Sequence, residues 1–140
     1  MAQNDTFRCS VITPERVLVE TDATFVAFPA HDGEVGILPG RAPLLFRMGS
    51  GELRVQSPQG DHVLFVDSGF AQMVENRLTL LTQVAKKIEE IDPAAVEKQL
   101  AEAHQMPMRT DAEFKARQRV LQSAQAQRRI LARRGSGRAA

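Results

Sequence analysis

The sequence predicts a mostly β amino-terminal part, an antiparallel β-sandwich of about eight to ten short strands, followed by a carboxy-terminal α-helical hairpin. Two observations predict this class. Between Phe7 and Val84, 29 of 78 residues are Val, Ile, Leu, Met or Phe, in short segments separated by turns, which is enough to close a core. Between Pro93 and Arg134 only 9 of 42 residues are of these types, and the apolar spacing changes from two residues to three or four.

The predicted strands follow one another at the spacing typical of sandwiches and barrels. Asp32-Gly33 predicts a hairpin turn, because glycine accepts the positive φ that such turns need. The segment from Glu52 to Ser57 alternates polar and apolar side chains, as a half-buried strand does. Gly49-Ser50-Gly51 is predicted to break the chain between strands. In order, the predicted strands are 7–13, 16–20, 23–28, 34–38, 52–57, 62–66, 70–74 and 77–83.

The first predicted helix begins at Asp92-Pro93. The Asp side chain can accept from free amides of the first turn, and Pro at the first helical position loses no hydrogen bond. Pro107 ends this helix, because proline cannot donate to the preceding turn.

Thr110 or Asp111 is predicted to cap the second helix, which runs to about Arg134, where Gly135-Ser136-Gly137 stops it. The predicted parts are a sandwich over 1–88, a hairpin over 89–134 and a flexible tail over 135–140. Because the hairpin has a thin apolar stripe, we expect it to need a surface to lie on.

The net charge of +1 conceals a split along the chain. Residues 1–105 carry a net charge of −6, and residues 106–140 carry +7. This split favours two functional parts, one of them with an acidic partner. The sequence contains no run of about 18 apolar residues, so no transmembrane helix is predicted. The amino terminus does not resemble a leader peptide. The single Cys9 indicates a reducing compartment.

No catalytic, cofactor-binding or metal-binding set is predicted. Ser68 follows Val66-Asp67, so the first glycine of a G-x-S-x-G nucleophile elbow is missing. The stretch from Gly33 to Gly40 is glycine-rich, but no G-K-[S/T] follows, so it is not a phosphate loop. The three histidines lie in separate segments and lack the spacing of metal ligands. They are His31, His62 and His104.

Two segments resemble the epsilon subunits of bacterial F-type ATP synthases. Residues 33–44, G-E-V-G-I-L-P-G-R-A-P-L, resemble the family motif G-x-x-G-I-L-P-G-H-A-P-L. Residues 66–81, V-D-S-G-F-A-Q-M-V-E-N-R-L-T-L-L, resemble V-x-G-G-F-x-x-V-x-x-N-x-V-T-V-L. The resemblance covers about residues 7–134. It departs at Arg41, a permanent charge where the family has a titratable His, and at Ser68, where the family has Gly.

The nucleotide motif that some members of this family carry on the hairpin, similar to I-D-x-x-R-A, is mostly missing here. Ile91-Asp92 matches, but Ala95 and Val96 replace its Arg and Ala. Losing the Arg removes the main phosphate-directed donor, so nucleotide sensing is not expected.

The resemblance implies a non-catalytic central-stalk subunit that couples ion flow through the c-ring to ATP synthesis and restrains ATP hydrolysis. The implied partners are the gamma subunit, the c-ring and, transiently, the alpha/beta catalytic head. The implied location is peripheral, at the cytoplasmic face of the bacterial inner membrane, with membrane contact only through the complex. By resemblance to the family, the interface with the c-ring and gamma is expected at six residues of this chain. They are Asp32, Gly33, Glu34, Val35, Gly36 and Arg41.

The second helix is the implied inhibitory element. In the family, the hairpin either packs against the sandwich or extends along gamma, so that its second helix enters the head. Arginine offers forked donors that suit carboxylates. The candidate contacts are Arg117, Arg128, Arg129 and Arg133.

Three alternatives remain open from the sequence alone. The chain could couple rotation without inhibiting hydrolysis, with its basic helix face solvated. It could be a nucleic-acid-binding module, although the net charge of −6 over 1–105 and the absence of Trp and Tyr oppose this reading. It could be a small enzyme on a β-sandwich, for which the residues give little support.

Overall fold

A computed structural model describes the backbone of residues 5–30 and 33–139 and the side chains of these ranges up to residue 134. The chain divides into two compact units, Met1–Lys87 and Ile88–Ala140. The first unit contains the strands β1 (Phe7–Ile12), β2 (Val17–Ala23), β3 (Phe25–Ala30), β4 (Gly33–Ile37), β5 (Leu44–Gln56), β6 (His62–Val74) and β7 (Arg77–Lys87). The second contains a 3-10 turn, Ile88–Glu90, and the helices α1 (Pro93–His104) and α2 (Asp111–Ala139).

Within the described residues, the strands form one seven-stranded sheet in the order β2-β1-β7-β6-β5-β3-β4. All neighbouring strands are antiparallel except β1 and β7, which are parallel. The apolar cluster of the sheet lies within the first unit, as expected for the predicted sandwich followed by a helical hairpin. That fold class is confirmed.

The strands are fewer and longer than the sequence predicts. The predicted strands 62–66 and 70–74 are both part of β6, and β5 continues through Gly49 and Gly51. Both glycines lie against β3, and the approach is tight at Gly51 and ordinary at Gly49. A Cβ on Gly49 would lie 3.4 Å from the Ala30 carbonyl oxygen, and one on Gly51 would lie 3.0 Å from Pro29 Cβ. The glycines that predicted a break therefore mark a packing contact inside a strand.

The long strands change the face that they turn towards the core at the level of Ser68 and Gly69. In β6 the core-facing residues are even-numbered up to Val66 and odd-numbered from Ala71. The pairing register with β5 and β7 is constant, so no residue is inserted. Ser68 has a φ of 59° and Gly69 a φ of 138°. The left-handed backbone at Ser68 and Gly69 therefore reverses which side chains of the strand face the core and which face outward.

The sandwich core is closed by apolar residues from all seven strands. Its largest fully buried side chains include Phe7, Phe28, Ile37, Leu53 and Leu78. Cys9 is also buried there, and this burial raises the pKa of its thiol from 9.0 to about 12, an effect that Arg8 partly offsets. Cys9 therefore behaves as a small apolar side chain.

Both helix starts in the second unit are capped by side chains. The Asp92 carboxylate accepts from the Ala94 amide at 3.0 Å, and Pro93 occupies the first helical position, as predicted. At the second start Thr110 Oγ1 accepts from the Glu113 amide at 3.1 Å, and the Glu113 carboxylate accepts from the Thr110 amide at 3.1 Å. This reciprocal pair is a capping box.

The predicted end of the second helix is wrong, because α2 continues past residue 134 to Ala139. Glycine costs about 1 kcal/mol relative to alanine in a helix interior, which weakens a helix without ending it when no capping geometry follows. The flexible tail predicted for 135–140 falls partly on this extension.

Candidate functional site

One row of side chains crosses four strands on the outward face of the sheet. Arg47 on β5 pairs directly with Phe70 on β6, Phe70 pairs with Leu81 on β7, and Leu81 pairs with Ile12 on β1. Directly paired residues project from the same side of a sheet with Cβ atoms about 5 Å apart. We call these four residues the outer row.

The outer row is apolar except for Arg47, and it is open to solvent. Phe70 and Leu81 are each 50% exposed, and Leu45, on the same face as Arg47, is 69% exposed. A cleft of about 460 Å³ lies over the row. Besides the outer row, its lining consists of Thr13, Pro14, Ser68, Gly69, Thr82 and Gln83. Contiguous exposed apolar surface of this kind typically marks an interaction site.

Sequence reasoning missed this surface, although the sequence contains a signal for it. The segment from Phe70 to Val74 places apolar residues on both faces of one strand, since Ala71 and Met73 are buried while Phe70 and Val74 are exposed. A strand with one face in the core has no folding reason to be apolar on the other face.

Four of the six residues that the family resemblance assigns to the c-ring and gamma interface lie on β4, an edge strand of the sheet, namely Gly33, Glu34, Val35 and Gly36. Gly33, Glu34 and Gly36 are exposed, and half-buried Val35 packs against the core. Asp32 and His31 lie outside the described residues. A Cβ on Gly36 would lie 3.0 Å from the Phe25 ring, so glycine lets that ring cover the strand.

Glu34 is held by an arginine of the sheet. Arg54 Nη2 donates to the Glu34 carboxylate at 2.9 Å, and Arg54 Nε lies 3.6 Å from the carboxylate of Glu52. The Glu34 side chain remains 51% exposed, so one face of its carboxylate is open to a partner.

Arg41 lies beside a turn that joins the two sequence motifs. The Arg41 amide donates to the Leu38 carbonyl at 3.3 Å, which closes the turn. Within the turn, the Gly40 amide donates to Asn76 Oδ1 at 2.8 Å, while Asn76 Nδ2 donates to the Thr6 carbonyl at 2.8 Å. The Arg41 guanidinium donates to the Ala42 carbonyl at 3.3 Å and is exposed.

Two of the four arginines predicted for inhibition bind within the hairpin itself. Arg117 Nε donates to the Ala103 carbonyl at the end of α1 at 2.9 Å, and its Nη1 lies 3.2 Å from Met108 Sδ. Arg128 pairs with Glu97 at 3.6 Å. Arg129 and Arg133 are exposed, and Arg133 also makes an interaction within the chain. The structure therefore divides the set into residues that join the two helices and residues that face outward.

Of the histidines and the serine considered for catalysis, His62 and Ser68 both lie on β6, where His62 is half-buried, and no hydrogen bond joins these two described residues. His104 lies on α1 of the second unit. In the ranges that the structure describes, no group of three His, Cys, Asp or Glu residues could hold a metal ion. No described helix is long and apolar enough to cross a membrane.

The sandwich matches a family model, and most of the chain resembles curated proteins. Residues 6–88 match the model of the ATP synthase Delta/Epsilon chain beta-sandwich domain. The ATP synthase epsilon chain of Rhodopirellula baltica is 40% identical over 122 residues, covering 87% of this chain and 95% of that one. The epsilon chain of Solibacter usitatus is 40% identical over 103 residues, covering 71% and 77%.

A solved structure shares the fold. A chain in the Euglena gracilis mitochondrial ATP synthase, solved as OSCP/F1/c-ring in rotational state 1, superposes with a TM-score of 0.80 at 19% identity. The match covers 91% of this chain and 82% of that one. At this identity the likeness concerns the fold.

Proposed function

The chain belongs to the epsilon-chain family of F-type ATP synthases, and from this membership we propose that it is a non-catalytic subunit of the central stalk. In this role it couples rotation of the c-ring to the catalytic head while held peripherally at the cytoplasmic face of the bacterial inner membrane. The observation that carries the proposal is the exposed apolar outer row on a sandwich that matches the family model.

We take the outer row and Leu45 as the face that binds the gamma subunit. A rotor subunit must remain attached under torque, and buried apolar area supplies most of the free energy of stable association. The edge strand β4, with Glu34, and the nearby Arg41 are the proposed contacts with the c-ring. Glu34 offers a carboxylate that is already oriented by Arg54.

Binding of the full chain to the gamma subunit of the same organism tests this assignment. Leu81→Ser removes an exposed apolar side chain from the outer row, and we expect the affinity for gamma to fall about tenfold or more. Val84→Ser is the matched control, because Val84 is an exposed apolar residue of the same strand outside the row. Equal affinities for both variants, or failure of the wild-type chain to bind gamma, would count against the proposal.

We further propose that α2 restrains ATP hydrolysis by contacting acidic segments of the alpha/beta head. The support is the net charge of +7 over residues 106–140 and the outward position of Arg129 and Arg133. Arg117 and Arg128 contribute indirectly in this account, by joining α2 to α1.

The ATPase rate of the epsilon-depleted enzyme, measured with added full-length chain, tests the inhibitory role. We expect wild type to lower the rate and the double variant Arg129→Gln, Arg133→Gln to lower it less. The variant with Lys at both positions keeps the charge but not the forked donors, so it separates the two contributions. If all three proteins bind and leave the ATPase rate at its value without added chain, the chain couples rotation without inhibition. If all three lower the rate equally, Arg129 and Arg133 do not carry the inhibition.

A further inference from the structure

Arg47 is the charged member of an otherwise apolar row. It pairs across the strands with Phe70, and its guanidinium is exposed. Among the described residues it makes no hydrogen bond or ion pair. Two other arginines of the sheet differ, since Arg8 pairs with Asp22 at 3.3 Å and Arg54 with Glu34 at 2.9 Å.

Arg47 is the one charged side chain among the described residues that line the cleft, and the other polar side chains there belong to Thr13, Ser68, Thr82 and Gln83. The Thr82 hydroxyl is already engaged, lying 2.6 Å from the Ser68 carbonyl and 3.0 Å from the Val84 carbonyl. Ile12, Phe70 and Leu81 supply the apolar wall. The cleft therefore combines an apolar surface with one uncompensated positive charge at its β5 end.

A partner that covers this surface must also satisfy the guanidinium. Burying a charged group without a counter-charge is strongly unfavourable, and an apolar partner segment alone would do so. A carboxylate is the protein group whose geometry matches the guanidinium fork, through two parallel hydrogen bonds.

We propose that the segment of the gamma subunit seated on the outer row presents a carboxylate to Arg47, beside an apolar side chain that enters the cleft between Phe70 and Ile12. This inference rests on the proposed function in taking gamma as the partner. Arg47 is then a specificity-determining residue, because a gamma subunit without the carboxylate would leave the guanidinium unpaired.

Titration of the full chain with gamma at low and high salt tests the inference. We expect Arg47→Gln to weaken binding about tenfold and to reduce its salt dependence, since one charge pair is lost. Arg77→Gln is the matched control. It removes the same charge from an exposed position on β7 outside the cleft, and we expect its affinity to remain within about twofold of wild type. Arg47→Lys should recover part of the affinity, because it keeps the charge without the fork.

The outcomes separate this inference from the proposed function. Weaker binding of Arg47→Gln with an unchanged thermal unfolding midpoint supports the inference. Equal binding by wild type, Arg47→Gln and Arg77→Gln overturns it while the gamma-binding role stands. Equal losses in Arg47→Gln and Arg77→Gln also overturn it, because they would indicate general charge attraction. Failure of wild type to bind gamma overturns the proposed function itself.

Discussion

Gly69 is the residue on which the face change of the long strands depends. A Cβ at this position would lie 2.0 Å from the Leu81 carbonyl oxygen and 2.8 Å from Thr82 Cα, both backbone atoms. We expect Gly69→Ala to lower the free energy of unfolding by about 3 kcal/mol or more, measured by denaturant unfolding. Gly60 shares the φ of +138° but has open space around it, so Gly60→Ala should cost only about 1 kcal/mol. Equal losses would show that backbone strain, and not the close approach, requires glycine.

Cys9 is a residue whose chemistry is suppressed by burial. Because burial raises the pKa of its thiol from 9.0 to about 12, its contribution to stability is complete below about pH 9 and is lost as the pH rises towards 12. We expect iodoacetamide at pH 8 to leave Cys9 unmodified in the folded chain and to modify it in guanidinium. Similar rates in both conditions would contradict the buried, neutral thiol.

Among the elements, α2 owes its start to two side chains. The Thr110 hydroxyl and the Glu113 carboxylate satisfy amides that no helical carbonyl can reach. We expect Thr110→Ala to lower the stability of the hairpin by about 1 kcal/mol, seen as faster amide exchange over 111–114. Thr110→Ser keeps the hydroxyl and should exchange at nearly the wild-type rate. If it exchanges as fast as Thr110→Ala, the hydroxyl is not the stabilising group.

At the scale of helices and strands, the sequence predicts the helix caps, which depend on neighbouring residues. It does not predict the packing between distant segments. Asp92 and Thr110 cap helices through bonds within a few residues, so the sequence alone indicates them. Gly49 and Gly51 look like breaks, yet both continue β5, and Gly51 admits Pro29 from another strand, where a Cβ would lie 3.0 Å from the Pro29 Cβ. A contact between distant segments has no local signal.

The candidate site was also only partly predictable, because contacts between distant segments have no local signal in the sequence. The motif residues identified β4 and the turn at Gly40 from sequence alone. The outer row was missed because its exposure depends on which face of β6 turns inward. That choice is made at Ser68 and Gly69, where the register stays constant while the faces exchange.

At the scale of the whole molecule, the two units differ in the size of the apolar core that each contains. The buried apolar cluster of the sandwich lies entirely between Phe7 and Ala85. We expect residues 1–87 to fold without the helices and to unfold cooperatively, as followed by circular dichroism and by dispersion of amide resonances. The full chain, melted under the same conditions, is the reference. A broad, non-cooperative transition for 1–87 would show that the sandwich depends on the rest of the chain.

Asn76 imposes a constraint that couples two distant parts of the sequence. Its φ of 61° calls for a residue that tolerates left-handed backbone, its amide oxygen must accept from Gly40, and its amide nitrogen must donate to Thr6. Glycine meets only the first requirement, and aspartate lacks the donor. Asparagine alone among the common residues meets all three. Over evolutionary time, position 76 and the turn at position 40 should therefore be replaced together or not at all.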